Sequence, residues 1–143
     1  MKKLFLLLLT FCLSVSAFCQ QSSDTVIANN PQNLKLKVYY FHITNRCNTC
    51  RSIEANVRKT LTDYFLNQLE TGVINLYVIN CELPENKELV QKYDAYGATL
   101  ALTSMSRGKD GNIEDLTSWA FQKAHNPEVF INELKTRIEE LIQ

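Results

Sequence analysis

Hydrophobic and polar positions along the chain fall into a few periodic blocks. Leu34 to Ile43 carries the run Val38-Tyr39-Tyr40-Phe41-His42-Ile43, rich in β-branched and aromatic residues, and reads as a buried strand. The period then changes. Ile53, Val57, Leu61, Phe65 and Leu69 recur every four residues with Tyr64 beside them, one face of a helix from about Asn48 to Glu70, with Gly72 as its natural stop. Val73 to Asn80 is a second apolar strand. Pro84 opens a shorter helix through Tyr93 that buries Leu89, Val90 and Tyr93. Ala98 to Met105 reads as a third strand, residues 107–112 as a turn dense in Gly and Asp, and Ile113 to about Phe121 as a fourth strand antiparallel to the third. Asn126-Pro127 caps and opens a last helix with Phe130, Leu134, Ile138 and Leu141 on its inner face.

The predicted order is β-α-β-α-β-β-α, an α/β fold with a central mixed sheet over residues 34–143. Strand, helix and strand with short links form a βαβ unit, so the first two strands should run parallel with a right-handed crossover. No internal repeat or low-complexity tract interrupts this.

The start of the chain has a different pattern. Lys2 and Lys3 precede an apolar stretch from Leu4 to Val15, and Ala17-Phe18-Cys19 offers a small–large–small cleavage site before Gln20. Residues 1–19 are therefore expected to be a signal peptide, with the stretch too short to span a membrane comfortably. A competing reading lipidates Cys19; the bulky Phe18 just before it argues against that. Either way the protein is exported, to the periplasm or beyond, where disulfides persist. Gln20 to Asn33 is polar and reads as a flexible leader, with Val26-Ile27 a candidate short edge strand.

Removing residues 1–19 leaves 124 of the 143 residues, enough for one domain and one core. It also takes Lys2 and Lys3, so 13 basic residues face 15 acidic ones. That balance carries no footprint for nucleic acid or an anionic membrane. Of five cysteines, Cys47, Cys50 and Cys81 remain.

The chemistry lies where the first strand ends and the long helix begins, at Asn45-Arg46-Cys47-Asn48-Thr49-Cys50-Arg51. A helix start has free N–H groups and the positive end of the dipole, which stabilise a thiolate and lower its pKa. Arg46 and Arg51 add positive charge. Cys47 should sit exposed at the helix start, as nucleophile, with Cys50 one turn in and beneath it as the resolving thiol. Successive attack by the two thiolates is thiol–disulfide exchange. Other readings of the pair are half of a zinc site, which needs four ligands, and a static disulfide.

A Cys-x-x-Cys after the first strand, followed by these elements, resembles the thioredoxin fold, a three-layer sandwich. The stretch Val38-Tyr39-Tyr40-Phe41-His42, with Arg46-Cys47-Asn48-Thr49-Cys50 and Ile53-Glu54, also resembles a narrower group of exported bacterial thioredoxin-like proteins. That group is commonly labelled as a subunit of a nitrophenyl-compound nitroreductase, an activity nothing in these residues supports. No glycine-rich phosphate loop follows a strand, so no dinucleotide or flavin is expected, nor any other cofactor. The resemblance implies protein thiols and disulfides as partners, among them a membrane or periplasmic redox protein.

Departures from the thioredoxin pattern are specific. Arg46 stands in place of the family's Trp, and Asn48-Thr49 in place of Gly-Pro. Phe41 occupies the place of the buried acid. Thr99, after Ala98, occupies the place of the cis-proline that faces the disulfide, and the Ala98–Thr99 bond is expected to be trans.

Cys81, at the carboxyl edge of the second strand, is either a packed small hydrophobe or a third thiol. In the latter case Cys47, Cys50 and Cys81 could hold a soft metal or metalloid ion, making the protein a carrier. His42 reads as a satisfied core or edge histidine, His125 as solvated, and Trp119 as packing in the final strand. Glu133 and Arg137 belong to a solvated helix face.

Overall fold

The structure, a computed structural model, describes residues 33–143. The signal peptide, Cys19, almost all of the leader and Val26-Ile27 lie outside the described residues. Four strands, β1 (Leu36–His42), β2 (Ile74–Asn80), β3 (Thr99–Ser106) and β4 (Lys109–Asp115), form one mixed sheet in the order β2-β1-β3-β4. β1 and β2 run parallel, with Leu36 opposite Ile74 and His42 opposite Asn80. β1 and β3 are antiparallel, as are β3 and β4. Five helices accompany them: α1 (Asn48–Tyr64), α2 (Leu66–Glu70), α3 (Lys87–Tyr93), α4 (Thr117–Lys123) and α5 (Pro127–Ile142).

The pleat of β1 divides the core in two. Leu36, Val38 and Tyr40 join Ile53, Val57 and Leu61 of α1, Ala120 of α4 and Phe130, Leu134 and Ile138 of α5 in one large buried cluster. Tyr39 and Phe41 point the other way, to a smaller cluster with Ile79, Ala101 and Tyr93 of α3. Both faces of the sheet are thus covered. Central strands buried on both faces need a near-continuous apolar run rather than alternation, as Val38 to Phe41 shows.

Three local expectations are corrected. The long helix is not continuous to Glu70. It breaks at Phe65 (φ −131°), whose ring is buried, and Leu69 joins the same cluster from α2. Gly72 follows at φ 73°, a conformation glycine adopts without a Cβ penalty.

The turn is narrower than residues 107–112. Only Arg107-Gly108 links β3 to β4, both at positive φ, the two-residue hairpin geometry that matches strand twist. Gly111 lies within β4, where the register shifts between Thr103 and Met105. A Cβ there would stand 2.8 Å from Ser104 Oγ and 3.2 Å from its carbonyl oxygen.

The third correction is the segment 117–121, which is not a strand. β4 ends at Asp115, whose carboxylate accepts from Thr117 N–H at 2.8 Å, and α4 begins there. Leu116, Ala120 and Ala124 are buried at four-residue spacing, a helical period. Trp119 therefore sits on α4, packed on Phe130 with its Nε1–H donated to Glu133 at 2.6 Å. Glu133 and Arg137 are accordingly partnered, Arg137 with Glu114 at 2.7 Å.

One carboxylate ties three elements. Asp110 of β4 accepts from Lys37 of β1 at 2.7 Å and pairs with Lys92 of α3. Hydrogen bonds from the two lysines hold its carboxyl below the usual range. A folded-state value below the unfolded one adds stability above the unfolded pKa of about 3.9, lost as pH falls through the folded value. Asp110→Asn should cost about 1 kcal/mol or less at neutral pH. In thermal melts from pH 7 to 3, the gap between the proteins should hold above about pH 5 and begin to narrow below about pH 4. A gap that stays constant to pH 3 would contradict this role.

Candidate functional site

α1 starts where the sequence places it, directly after the β1 loop, with Cys47 as its N-cap. Cys47 is exposed and Cys50, one turn in, is half-buried. They form a disulfide with Cα atoms 5.2 Å apart. Cys50 N–H, one of the donors a helix start leaves free, points at Cys47 Sγ at 3.1 Å. The same donor would stabilise a Cys47 thiolate in the reduced protein.

The motif rests on β1 through Tyr40. Its hydroxyl donates to the Cys50 carbonyl at 2.6 Å from within the large cluster. Burial, with the Glu54 carboxylate adding to it, pushes the Tyr40 phenol up to about 12, so it stays a donor at physiological pH. The loop before the motif is fastened to the β2 exit. Thr44 N–H donates to Glu82 at 2.9 Å, and Asn80 Nδ2 donates to Thr44 Oγ1 at 3.1 Å.

Arg46 is adjacent to Cys47 in the chain, but its guanidinium is engaged with Glu54 of α1 and with His42 Nε2. Glu54 also accepts from Arg58 Nε at 2.8 Å. Two arginines therefore share one largely buried carboxylate, and part of Arg46's charge is spent within the network. His42, 7% exposed, has its Nδ1 3.0 Å from the Ile43 carbonyl. A carbonyl only accepts and a guanidinium only donates, which puts the ring proton on Nδ1. His42 thus orients Arg46 and is a satisfied buried histidine. Arg51 is exposed.

The other expected residues lie at the same sheet end or on its far face. Thr99 opens β3 opposite Phe41, and Ala98 precedes it half-buried. Among the described residues no peptide bond is cis, and no hydrogen bond joins Ala98 or Thr99 to either cysteine of the pair. Phe41 is fully buried against Tyr93. Cys81 packs against the smaller cluster with Phe41, its N–H donated to the His42 carbonyl at 2.8 Å. Burial pushes its thiol up, away from reactivity. Among the described residues no three His, Cys, Asp or Glu side chains are grouped to hold a metal ion, so Cys81 is not brought together with Cys47 and Cys50 as a ligand set.

Two groups escaped the sequence reading. Glu54 entered it only as part of a resemblance; its i,i+4 spacing to Arg58 was the available signal. His125, expected to be solvated, is exposed yet lies with Nε2 3.0 Å from Oγ1 of Thr49, between the two cysteines. Nothing in the local pattern of residues 123–127 marks a contact 76 positions away.

No family model matches the chain, and no curated protein matches it. A solved structure described as "Structure of a malarial protein" is similar at 18% identity, covering 64% of this chain and 98% of its own, with a TM-score of 0.39. Among the described residues no helix is long and apolar enough to cross a membrane.

Proposed function

We propose that this is an exported thioredoxin-like protein that exchanges thiols and disulfides through Cys47 and Cys50. The observation that carries the reading is the placement of the pair. An exposed Cys47 caps α1 and receives the Cys50 N–H, while Cys50 lies half-buried behind it. The mixed sheet with helices on both faces and the Cys-x-x-Cys at the β1–α1 junction are the features of a thioredoxin-like architecture that support the fold assignment.

The reaction balances within the two cysteine pairs. In the reduced protein, Cys47 thiolate attacks one sulfur of a partner disulfide, and that partner's other sulfur leaves as thiolate. Cys50 thiolate then attacks Cys47 Sγ, closing the Cys47–Cys50 bond and releasing the second partner thiolate. Two electrons pass to the partner, and the protons lost by Cys47 and Cys50 equal those its thiolates take up. In the other direction a partner dithiol reduces Cys47–Cys50 by the reverse steps. Tyr40 and the Arg46–Glu54–His42 network hold the two ends of the motif while its sulfur bonds change. The partners are protein thiols and disulfides, including a membrane or periplasmic redox protein, reached after removal of residues 1–19.

Titration of the mature protein against glutathione redox buffers tests the reading. The pair should convert reversibly between dithiol and disulfide, with a midpoint unchanged by Cu(I) or Zn(II). A pair that fails to respond to glutathione but binds either ion tightly would make the protein a carrier instead.

A further inference from the structure

Cys50 is tied from within by a core residue. Tyr40 sits on β1, which lies between β2 and β3, with Val78 opposite it on one side and Leu100 on the other. It is fully buried and belongs to the large cluster with Ile53 and Val57 of α1. A tyrosine has only two side-chain torsions, so burial of this kind leaves its hydroxyl little freedom. That hydroxyl donates to the Cys50 carbonyl at 2.6 Å. A carbonyl has two lone pairs, so one in a helix can accept from outside without leaving its ladder. The first turn of α1 is therefore fastened to the middle of the sheet at the residue that carries the second thiol.

This tie bears on one step of exchange more than on the other. While the Cys47–Cys50 bond is closed, the covalent link itself fixes the two residues, with Cα atoms 5.2 Å apart. In the mixed disulfide that link is gone. Closure then depends on how much of the time Cys50 stands within reach of Cys47, its effective concentration. We propose that Tyr40 is the positioning residue for this second step: by tying the Cys50 carbonyl to β1, its hydroxyl speeds ring closure and favours the disulfide over the dithiol. The proposal rests on the exchange reading and deepens it.

With glutathione as partner the step is simple. Cys50 thiolate attacks Cys47 Sγ, the bond between Cys47 Sγ and the glutathione sulfur breaks, and glutathione leaves as thiolate with the electron pair. The reverse step, attack of glutathione thiolate on Cys47 Sγ, starts from the closed ring and should change little. A factor lost from closure therefore appears whole in the equilibrium between dithiol and disulfide.

The test compares the mature protein with Tyr40→Phe, which removes the hydroxyl and keeps the ring that fills the core. Tyr93→Phe is the control. Tyr93 is also buried, its hydroxyl is hydrogen-bonded to Thr103 Oγ1 at 2.7 Å, and it lies in the smaller cluster on the other face of the sheet. Two quantities are read: the rate at which the Cys47–glutathione mixed disulfide closes, by acid quench and release of glutathione, and the midpoint in glutathione redox buffers. Tyr40→Phe should close about three- to tenfold more slowly, the worth of one buried hydrogen bond. Its midpoint should rise by about 15–30 mV, the same factor at about 30 mV per tenfold. Tyr93→Phe should keep wild-type values of both while losing stability to unfolding. An unchanged closure rate in Tyr40→Phe, or a midpoint that does not rise, would overturn the inference. So would equal changes in the two variants, which would mark a general loosening of the core. Each of these outcomes leaves the exchange reading standing, so long as the wild type forms the mixed disulfide and closes it. A wild-type pair that forms none would end both.

Discussion

Under the proposed exchange, Cys50→Ser should accumulate mixed disulfides between Cys47 and partner proteins, and Cys47→Ser should accumulate none. The asymmetry follows from the helix start. Cys47 is exposed and holds the capping position, where a partner would reach it, while Cys50 is half-buried one turn in and disulfide-bonded to Cys47. Without Cys50 the first attack proceeds and the second cannot, which leaves the covalent intermediate standing. Turnover should fall on the order of 100-fold or more in either variant, because each step needs its own thiolate. Cys81→Ser should leave turnover nearly intact, since that thiol packs against the smaller cluster on the other face of the sheet, with its ionisation opposed by burial. Non-reducing gels of affinity-purified protein, with mass spectrometry of the trapped species, give the result. Trapping through Cys81, or equal trapping by both serine variants, would contradict the assignment of roles.

The largest loss of stability is expected from Phe130→Ala. Phe130 is fully buried in the first turn and a half of α5, joins the cluster shared with α1 and β1, and packs on Trp119 at a centroid distance of 4.6 Å. Truncation removes the ring and leaves a cavity among residues held by three separate elements, α1, α4 and α5. The cost should be about 3–5 kcal/mol, a large part of the margin of a domain this size. The melting temperature should drop by roughly 10–20 °C. The same change should detach Trp119 from its packing, visible as a shift in its fluorescence. A loss of less than about 1 kcal/mol by denaturant unfolding would mean that α5 is not seated on the core as described.

How much was legible before the structure depended on the range of the interaction that decides each element. The strand and helix flanking the cysteines were legible because each buries a long stripe at its own period: Val38 to Phe41 on two faces, and Ile53, Val57, Leu61 on one. The exposed Cys47 and half-buried Cys50 followed from the same boundary. Residues 117–121 read as strand because Thr117, Trp119 and Phe121 are strand-favouring types and the helix is only seven residues long. What decides it is burial at positions 116, 120 and 124 against α1 and α5, a tertiary fact. The break at Phe65 is of the same kind: the four-residue pattern continues through it, so the sequence shows a single stripe. The direction of Arg46 toward Glu54, and of His125 toward Thr49, depends on side-chain geometry that no residue spacing encodes.

The composition of β4 has a consequence for how the molecule behaves among its neighbours. Among the described residues it is the last strand on its side of the sheet, exposed along most of its length. Outermost strands are templates for adding foreign strands, the route to fibrils. This one opens Lys-Asp-Gly-Asn and bends at the irregularity opposite Ser104. Its charges, its glycine and its bend make it a poor template. At high concentration the chain should resist stacking edge to edge through β4.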